Sequence, residues 1–252
     1  TIKQEIAPVL EKAFISSSPI NEQIRFQRTI PAAEVFKALE LNKQDTYLDL
    51  AGGSGLYTAG ASEGVRKAIY VDRSSQNLPM VNELLRFVNN PALKNSAEFK
   101  RLKTRQLVNI NTELPKLRKS YTPADTIPSN VSVLLGDATA IPLQDNSVTK
   151  LSVTDLFRWV GLQKKAKDIP EAAELVMKEA LRVTKPQGLM YVKHDFINSP
   201  KQQERIVEFT KLVEKIAYDQ RATVEIRSIE PNGAIVFKVA HKSEPIKLAP
   251  PV

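Results

Sequence analysis

The chemistry-bearing residues of this chain gather at the ends of short apolar runs. One window reads Tyr47-Leu48-Asp49-Leu50-Ala51-Gly52-Gly53-Ser54-Gly55, an apolar run that passes straight into glycines and then into a helical pattern. Glycine lets a ligand approach the backbone closely, and the start of the following helix favours a negative group. Glycine is scarce elsewhere: the 252 residues hold only 9, and Gly52, Gly53, Gly55, Gly60 and Gly64 fall within positions 52–64. Two further carboxylates follow the next apolar runs. Asp72 closes Lys67–Asp72, where an acidic side chain can accept both hydroxyls of a ribose. Asp137 comes just after Val131–Gly136.

Later runs end in groups that could move a proton or hold an anion. Asp155 and Arg158 follow Thr149–Thr154, and Asp195 follows Gly188–His194. The His194 imidazole titrates near neutrality and suits a general base, though a histidine at a strand end is also a common structural residue. Arg158 suits an anionic substrate or a surface ion pair, and Asp155 a base or a neighbour of the bound ligand. Trp159, the single tryptophan, fits an aromatic pocket or the core. With no cysteine, disulfides, thiolate metal sites and a cysteine nucleophile are excluded. His194 and His241 are the only histidines, so no metal site is expected.

The runs Thr46–Ala51, Lys67–Asp72, Val131–Gly136, Thr149–Thr154 and Gly188–His194 read as buried strands. Helix-length stretches separate them, which is the pattern of a parallel sheet covered on both faces. Asp168 with Glu171, and Ser199 with Gln202, mark helix starts whose helices run to about Arg182 and Tyr218. Ala222–Ser228 and Ala234–Ala240, joined across Pro231-Asn232-Gly233, read as a hairpin. Residues 1–44 read as N-terminal helices, with Pro31 in the first turn of the last. Residues 45–245 form the main domain and 246–252 a tail. Residues 90–128 are an excursion in which Phe99, Leu102, Ile110, Leu114 and Leu117 recur at helical spacing. They predict an amphipathic helical insertion between the second and third strands.

Four ordered segments together resemble class I S-adenosylmethionine-dependent methyltransferases. Asp49 to Gly55 is similar to that family's first motif, with Ala51 where glycine is usual. Gly136-Asp137-Ala138-Thr139-Ala140-Ile141-Pro142 through Asp145-Asn146-Ser147 is similar to a later one, and Glu179–Gly188 to a third, with Gln187 replacing a glycine. The terminal hairpin is the fourth. The wording is closest to the ubiquinone/menaquinone C-methyltransferase subgroup, which generally lacks an insertion like 90–128. The resemblance implies a Rossmann-like α/β fold: a seven-stranded, mostly parallel sheet with a C-terminal antiparallel hairpin and helices on both faces. It implies S-adenosylmethionine as cofactor, met by Asp49, Ala51, Gly52, Gly53, Ser54, Gly55, Asp72, Arg73, Gly136, Asp137, Ala138 and Thr154. Asp72 would take the ribose and Asp137 the adenine amino group. His194, Asp155 and Arg158 are the catalytic candidates. A dinucleotide fingerprint would instead need glycine at Thr58.

The formal net charge is +8, and a polyanionic partner must be considered. Residues 92–126 hold eight basic and three acidic side chains, a net +5, whereas 1–45 balance six against six. The basic insertion suits an anionic small molecule, a nucleic acid or an acidic partner, or is simply a solvated face. Aromatic residues are sparse there, and Thr154-Asp155-Leu156-Phe157 stands where amino-methylating nucleic-acid enzymes carry Asn-Pro-Pro-Tyr. A small-molecule acceptor, aromatic or quinone-like, is therefore favoured over nucleic acid or protein. A methyltransferase-like binding module without turnover is the alternative. No apolar run approaches the ~20 residues of a membrane span, so a cytoplasmic or organelle-matrix protein is expected.

Overall fold

The structure is a computed structural model that describes residues 27–28, 30–105, 108–154, 156, 171–193, 202–230 and 233–242. Its first elements are a two-residue strand β1 (Gln27–Arg28), helix α1 (Ala32–Ala38), strand β2 (Thr46–Leu50), helix α2 (Leu56–Ala61) and strand β3 (Lys67–Asp72). Helices α3 (Leu78–Val88), α4 (Pro91–Lys94) and α5 (Ala97–Thr104), strand β4 (Val108–Asn109) and helix α6 (Ile110–Ser120) follow. The second half comprises β5 (Val131–Leu135), β6 (Val148–Thr154), α7 (Glu171–Val183), β7 (Thr184–Lys193), α8 (Gln202–Asp219), β8 (Ala222–Ile229) and β9 (Ile235–Lys242).

Seven strands form one sheet in the order β5-β3-β2-β6-β7-β9-β8. The first five pair in parallel, and β9 and β8 close the sheet antiparallel. This is the Rossmann-like architecture expected. The chain winds outward from β2 through β3 to β5, then returns to place β6 on the other side of β2. A crevice at the carboxyl ends of the strands lies at such a reversal of order.

Side chains of the central strands alternate between two apolar layers because successive residues point to opposite faces. Tyr47, Ala68, Tyr70 and Tyr191 pack with α1, α2, α3 and the insertion. Leu48, Leu50, Ile69, Val71, Met190 and Val192 pack with α7 and α8. All five residues of β2 are buried, which fits the middle of a doubly covered sheet.

The 90–128 excursion is helical, as its spacing predicts, and Phe99, Leu102, Ile110, Leu114 and Leu117 are all buried in the first layer. Ser96 and Asn109 cap α5 and α6 by accepting the N–H groups of Phe99 and Asn111. Strand β4 pairs antiparallel with β1, a two-residue ladder that no periodicity announces. Pro31 stands at the N-cap of α1, one place ahead of the first turn. The remaining expected helices of the N-terminal segment, the Asp168 and Ser199 helix starts and the tail lie outside the described residues. Helices α7 and α8 end at Val183 and Asp219, within a residue of expectation. No helix among the described residues is long and apolar enough to cross a membrane.

Candidate functional site

Adjacent strands β2, β3 and β5 deliver the glycine window, Asp72 and Asp137 to one edge of the sheet. Directly after β2 the backbone turns through left-handed positions at Ala51 (φ 56°), Gly53 (φ 51°) and Gly55 (φ 70°), and Gly55 is the N-cap of α2. A side chain is excluded at two of the glycines. A Cβ on Gly52 would lie 2.5 Å from the Tyr70 ring, and one on Gly55 would lie 2.8 Å from Val81. The loop therefore closes onto β3 and α3 at van der Waals distance, which only glycine permits.

Three consecutive β3 residues hold this loop. Gly52 donates its N–H to the Val71 carbonyl at 3.2 Å. Gly53 donates to Asp72 Oδ2 at 2.8 Å and accepts from the Tyr70 hydroxyl at 2.9 Å. The other Asp72 oxygen accepts the Ser74 N–H at 2.7 Å. Asp72 is almost buried, and each carboxylate oxygen keeps acceptor capacity beyond its backbone bond. Asp49 lies beneath the loop, where its Oδ2 accepts the N–H and hydroxyl of Thr58 at 3.3 and 3.0 Å. Thr58, the residue that breaks the dinucleotide fingerprint, thus anchors α2 to β2. Ser54 is fully buried, and its Oγ has no hydrogen-bond partner among the described residues; the same is true of Asn77 Oδ1 at the start of α3.

Asp137 is more open. Its Oδ1 accepts the N–H and hydroxyl of Thr139 at 2.8 and 2.9 Å, and its Oδ2 lies 3.6 Å from the Arg73 guanidinium. Both side chains of that pair are about one-third exposed, at 34% and 33%. Gly136 donates its N–H to the Asp72 carbonyl at 3.0 Å, which locks the Asp137 turn to the end of β3. Ala138 is half-buried beside it, and Thr154 is buried at the end of β6. Of the catalytic candidates, Asp155, Arg158 and His194 all lie outside the described residues, as do Trp159 and Asp195.

A second bracing system emerges only from the structure. Arg182 on α7 donates to the carbonyls of Ile141 and Leu143 at 2.9 and 2.8 Å, to Asp145 at 2.6 Å and to both oxygens of Glu179. Glu179 also accepts the Ile141 N–H at 2.8 Å. Asp145 is exposed, as a solvated turn would be, but it is ion-paired rather than free. The hydrogen bonds it donates to Glu179, then to Asp145, hold the Arg182 guanidinium above its already high ordinary pKa, against the burial that opposes it. Glu179–Arg182 and Asp145–Ser147 each belong to a segment of the resemblance, but nothing in the sequence joins the two. Tyr70 carried a weak signal, a hydroxyl two residues before Asp72 in an otherwise aliphatic strand.

The insertion makes its described polar contacts along α2 and α3. Lys103 pairs with Glu63, just past the far end of α2, and Arg86, Asn89 and Asn90 at the end of α3 bond the carbonyls of Ala124, Thr126 and Thr122. Arg118 of α6 pairs with Glu83 in the middle of α3, two residues on from the Val81 side chain that lies against Gly55.

A family model described as a methyltransferase domain matches residues 95–192. The match begins within the insertion and includes Asp137 and the Glu179–Gly188 segment, while the glycine window and Asp72 lie upstream of it. No curated protein matches the chain. Among solved structures, a protein from Methanococcus maripaludis assigned as an S-adenosylmethionine-dependent methyltransferase is 14% identical, with a TM-score of 0.47, over 96% of this chain and 95% of that one. One from Aquifex aeolicus is 17% identical, with a TM-score of 0.47, over 91% and 96%. A chain of the complex between the Haloferax volcanii Trm112 methyltransferase activator and its assigned methyltransferase is 16% identical, with a TM-score of 0.48, over 83% and 88%.

Proposed function

We propose that this protein is an S-adenosylmethionine-dependent methyltransferase acting on a small acceptor, aromatic or quinone-like in character. The observation that carries the reading is the delivery of the glycine window, Asp72 and Asp137 to one sheet edge by three neighbouring strands. The methyltransferase-domain match over residues 95–192 supports the same class. The residues present fit the donor. The glycines let the chain turn tightly at the end of β2, and the buried Ser54 and Asn77 oxygens have hydrogen-bonding capacity in reserve. Asp72 keeps lone pairs for two ribose hydroxyls. Asp137 can accept an adenine amino group when its ion pair with Arg73 opens.

Bound there, S-adenosylmethionine would supply an electrophilic methyl group from a sulfonium. The protein's own contribution is alignment, which can supply about 7–11 kcal/mol of a bimolecular barrier. Rigid suspension of the loop from Tyr70, Val71 and Asp72 serves that purpose. Where the acceptor carries a proton, His194 or Asp155 would remove it, and Arg158 would hold an anionic acceptor. Isothermal titration of the intact protein with S-adenosylhomocysteine tests the reading. Binding is expected, with loss of binding in a variant carrying Asp72→Ala and Gly53→Val; no binding by the intact protein would sink it.

A further inference from the structure

The excess positive charge of the chain collects on a surface that the donor reading does not use. Helices α5 and α6 form an antiparallel pair. Arg105, just past the end of α5, reaches Glu113 in the first turns of α6 at 3.2 Å. Tyr121, just past the end of α6, donates to Glu98 in the first turn of α5 at 2.9 Å. The apolar side chains Phe99, Leu102, Leu114 and Leu117 point into the core. The opposite faces of the two helices lie in solvent, exposing Lys100 and Arg101 from α5 and Lys116 and Lys119 from α6, with Lys94 at the end of α4.

Much of the basic charge in this region is already neutralised, and the remainder identifies the surface. Lys103 is matched by Glu63 and Arg118 by Glu83. Arg105 and Lys116 share the one carboxylate of Glu113. Lys94, Lys100, Arg101 and Lys119 enter no ion pair among the described residues. We propose that the outer face of the α5–α6 pair is a docking surface for the phosphate backbone of double-helical nucleic acid, separate from the donor loop.

Three features favour that partner. Protein interfaces are anchored by buried aromatic and apolar side chains, yet among the described residues the exposed large apolar ones, Leu135, Val207, Tyr218, Ile226 and Ile229, all lie outside α5 and α6. Unpaired bases need an aromatic stacking platform, and Tyr121 is half-buried and bonded to Glu98. The 11 residues of α6 span about 16 Å, or about five base-pair steps.

Fluorescence anisotropy with the full chain and a labelled RNA duplex of about 20 base pairs tests this, with a DNA duplex and a single strand of the same sequence as further arms. Both duplexes should bind at low salt, and the single strand more weakly. Four contacts at about 0.9 each give a slope of log affinity against log salt of about −3.6. A variant carrying Lys94→Gln, Lys100→Gln, Arg101→Gln and Lys119→Gln should bind the duplexes at least about tenfold more weakly with a flattened slope. Its melting temperature and its affinity for S-adenosylhomocysteine should stay unchanged. The inference does not rest on methyl transfer, so failed donor binding leaves it standing. It is overturned if neither duplex binds, if the variant binds like the parent, or if polyglutamate or phosphatidylserine vesicles bind as tightly as the duplexes.

Discussion

Asp72 Oδ2 accepts the N–H of Gly53 at 2.8 Å, so the carboxylate that ends β3 is itself part of the loop that follows β2. The other oxygen takes Ser74 N–H. Asparagine at this position has one acceptor oxygen for two backbone donors and would turn an amide toward the second. One nearly buried N–H would lose its partner, at a cost of about 1–3 kcal/mol. Urea denaturation of Asp72→Asn should show that loss. Titration with S-adenosylhomocysteine should show at least about tenfold weaker binding, a loss of about 1.4 kcal/mol. Unchanged stability would mean the carboxylate does not brace the loop.

Gly52 and Gly64 lie in the same glycine-rich window but differ in what surrounds them. A methyl group on Gly52 would meet the Tyr70 ring at 2.5 Å and Asp49 Oδ2 at 2.8 Å, whereas one on Gly64 would find only the Ala61 carbonyl at 3.9 Å. Gly52→Ala should force the loop off β3, lowering stability by about 1–3 kcal/mol and abolishing donor binding. Gly64→Ala should leave binding intact and shift stability by less than about 1 kcal/mol. Thermal melts of the two variants side by side make the comparison.

Much of this edge was legible in the sequence, because short apolar runs ending in glycine or aspartate mark strand ends whatever the tertiary context. The seven strands, the hairpin and the buried face of the insertion follow from local pattern. Tyr70 was not legible as a loop anchor, since its reach to Gly53 depends on β2 and β3 pairing in a register that sets Asp49 opposite Tyr70. Nor does linear order say which end of α3 an insertion returns to; the contacts of Arg86, Asn89 and Asn90 decide that. The β1–β4 ladder is too short for any periodic signal.

Ala51 and Gln187 stand where the resembled family has glycine, and both adopt positive φ, at 56° and 65°. Left-handed backbone costs a residue with a Cβ about 1–2 kcal/mol. Ala51→Gly should relieve that strain, offset in part by the greater freedom of glycine in the unfolded chain. A net gain of about 0.5–1 kcal/mol is expected, which raises the melting temperature by about 1–4 °C in a chain of this size. Gln187→Gly should gain less, because it also deletes the bond from the Gln187 amide to the Ala240 carbonyl at 2.6 Å. Calorimetry that ranks Gln187→Gly above Ala51→Gly would contradict this assignment of strain.

Arg182 is remote from the glycine loop in sequence but controls the segment behind Asp137. Its guanidinium binds the carbonyls of Ile141 and Leu143 while Glu179 takes the Ile141 N–H, so α7 grips both polarities of the turn that leads out of Asp137. Glutamine in its place is too short and too poor in donors to serve both carbonyls and both carboxylates. Hydrogen bonds to charged groups contribute about 1.5–3 kcal/mol each, and the partners of Arg182 can turn to solvent, so a net loss of about 2–3 kcal/mol is expected for Arg182→Gln. A loosened turn would also let Asp137 wander. Affinity for S-adenosylhomocysteine should therefore fall by about tenfold, while affinity for methionine, which has no adenine, should change little. Equal losses for both ligands would show that Arg182 supports the fold as a whole and has no particular hold on the Asp137 turn.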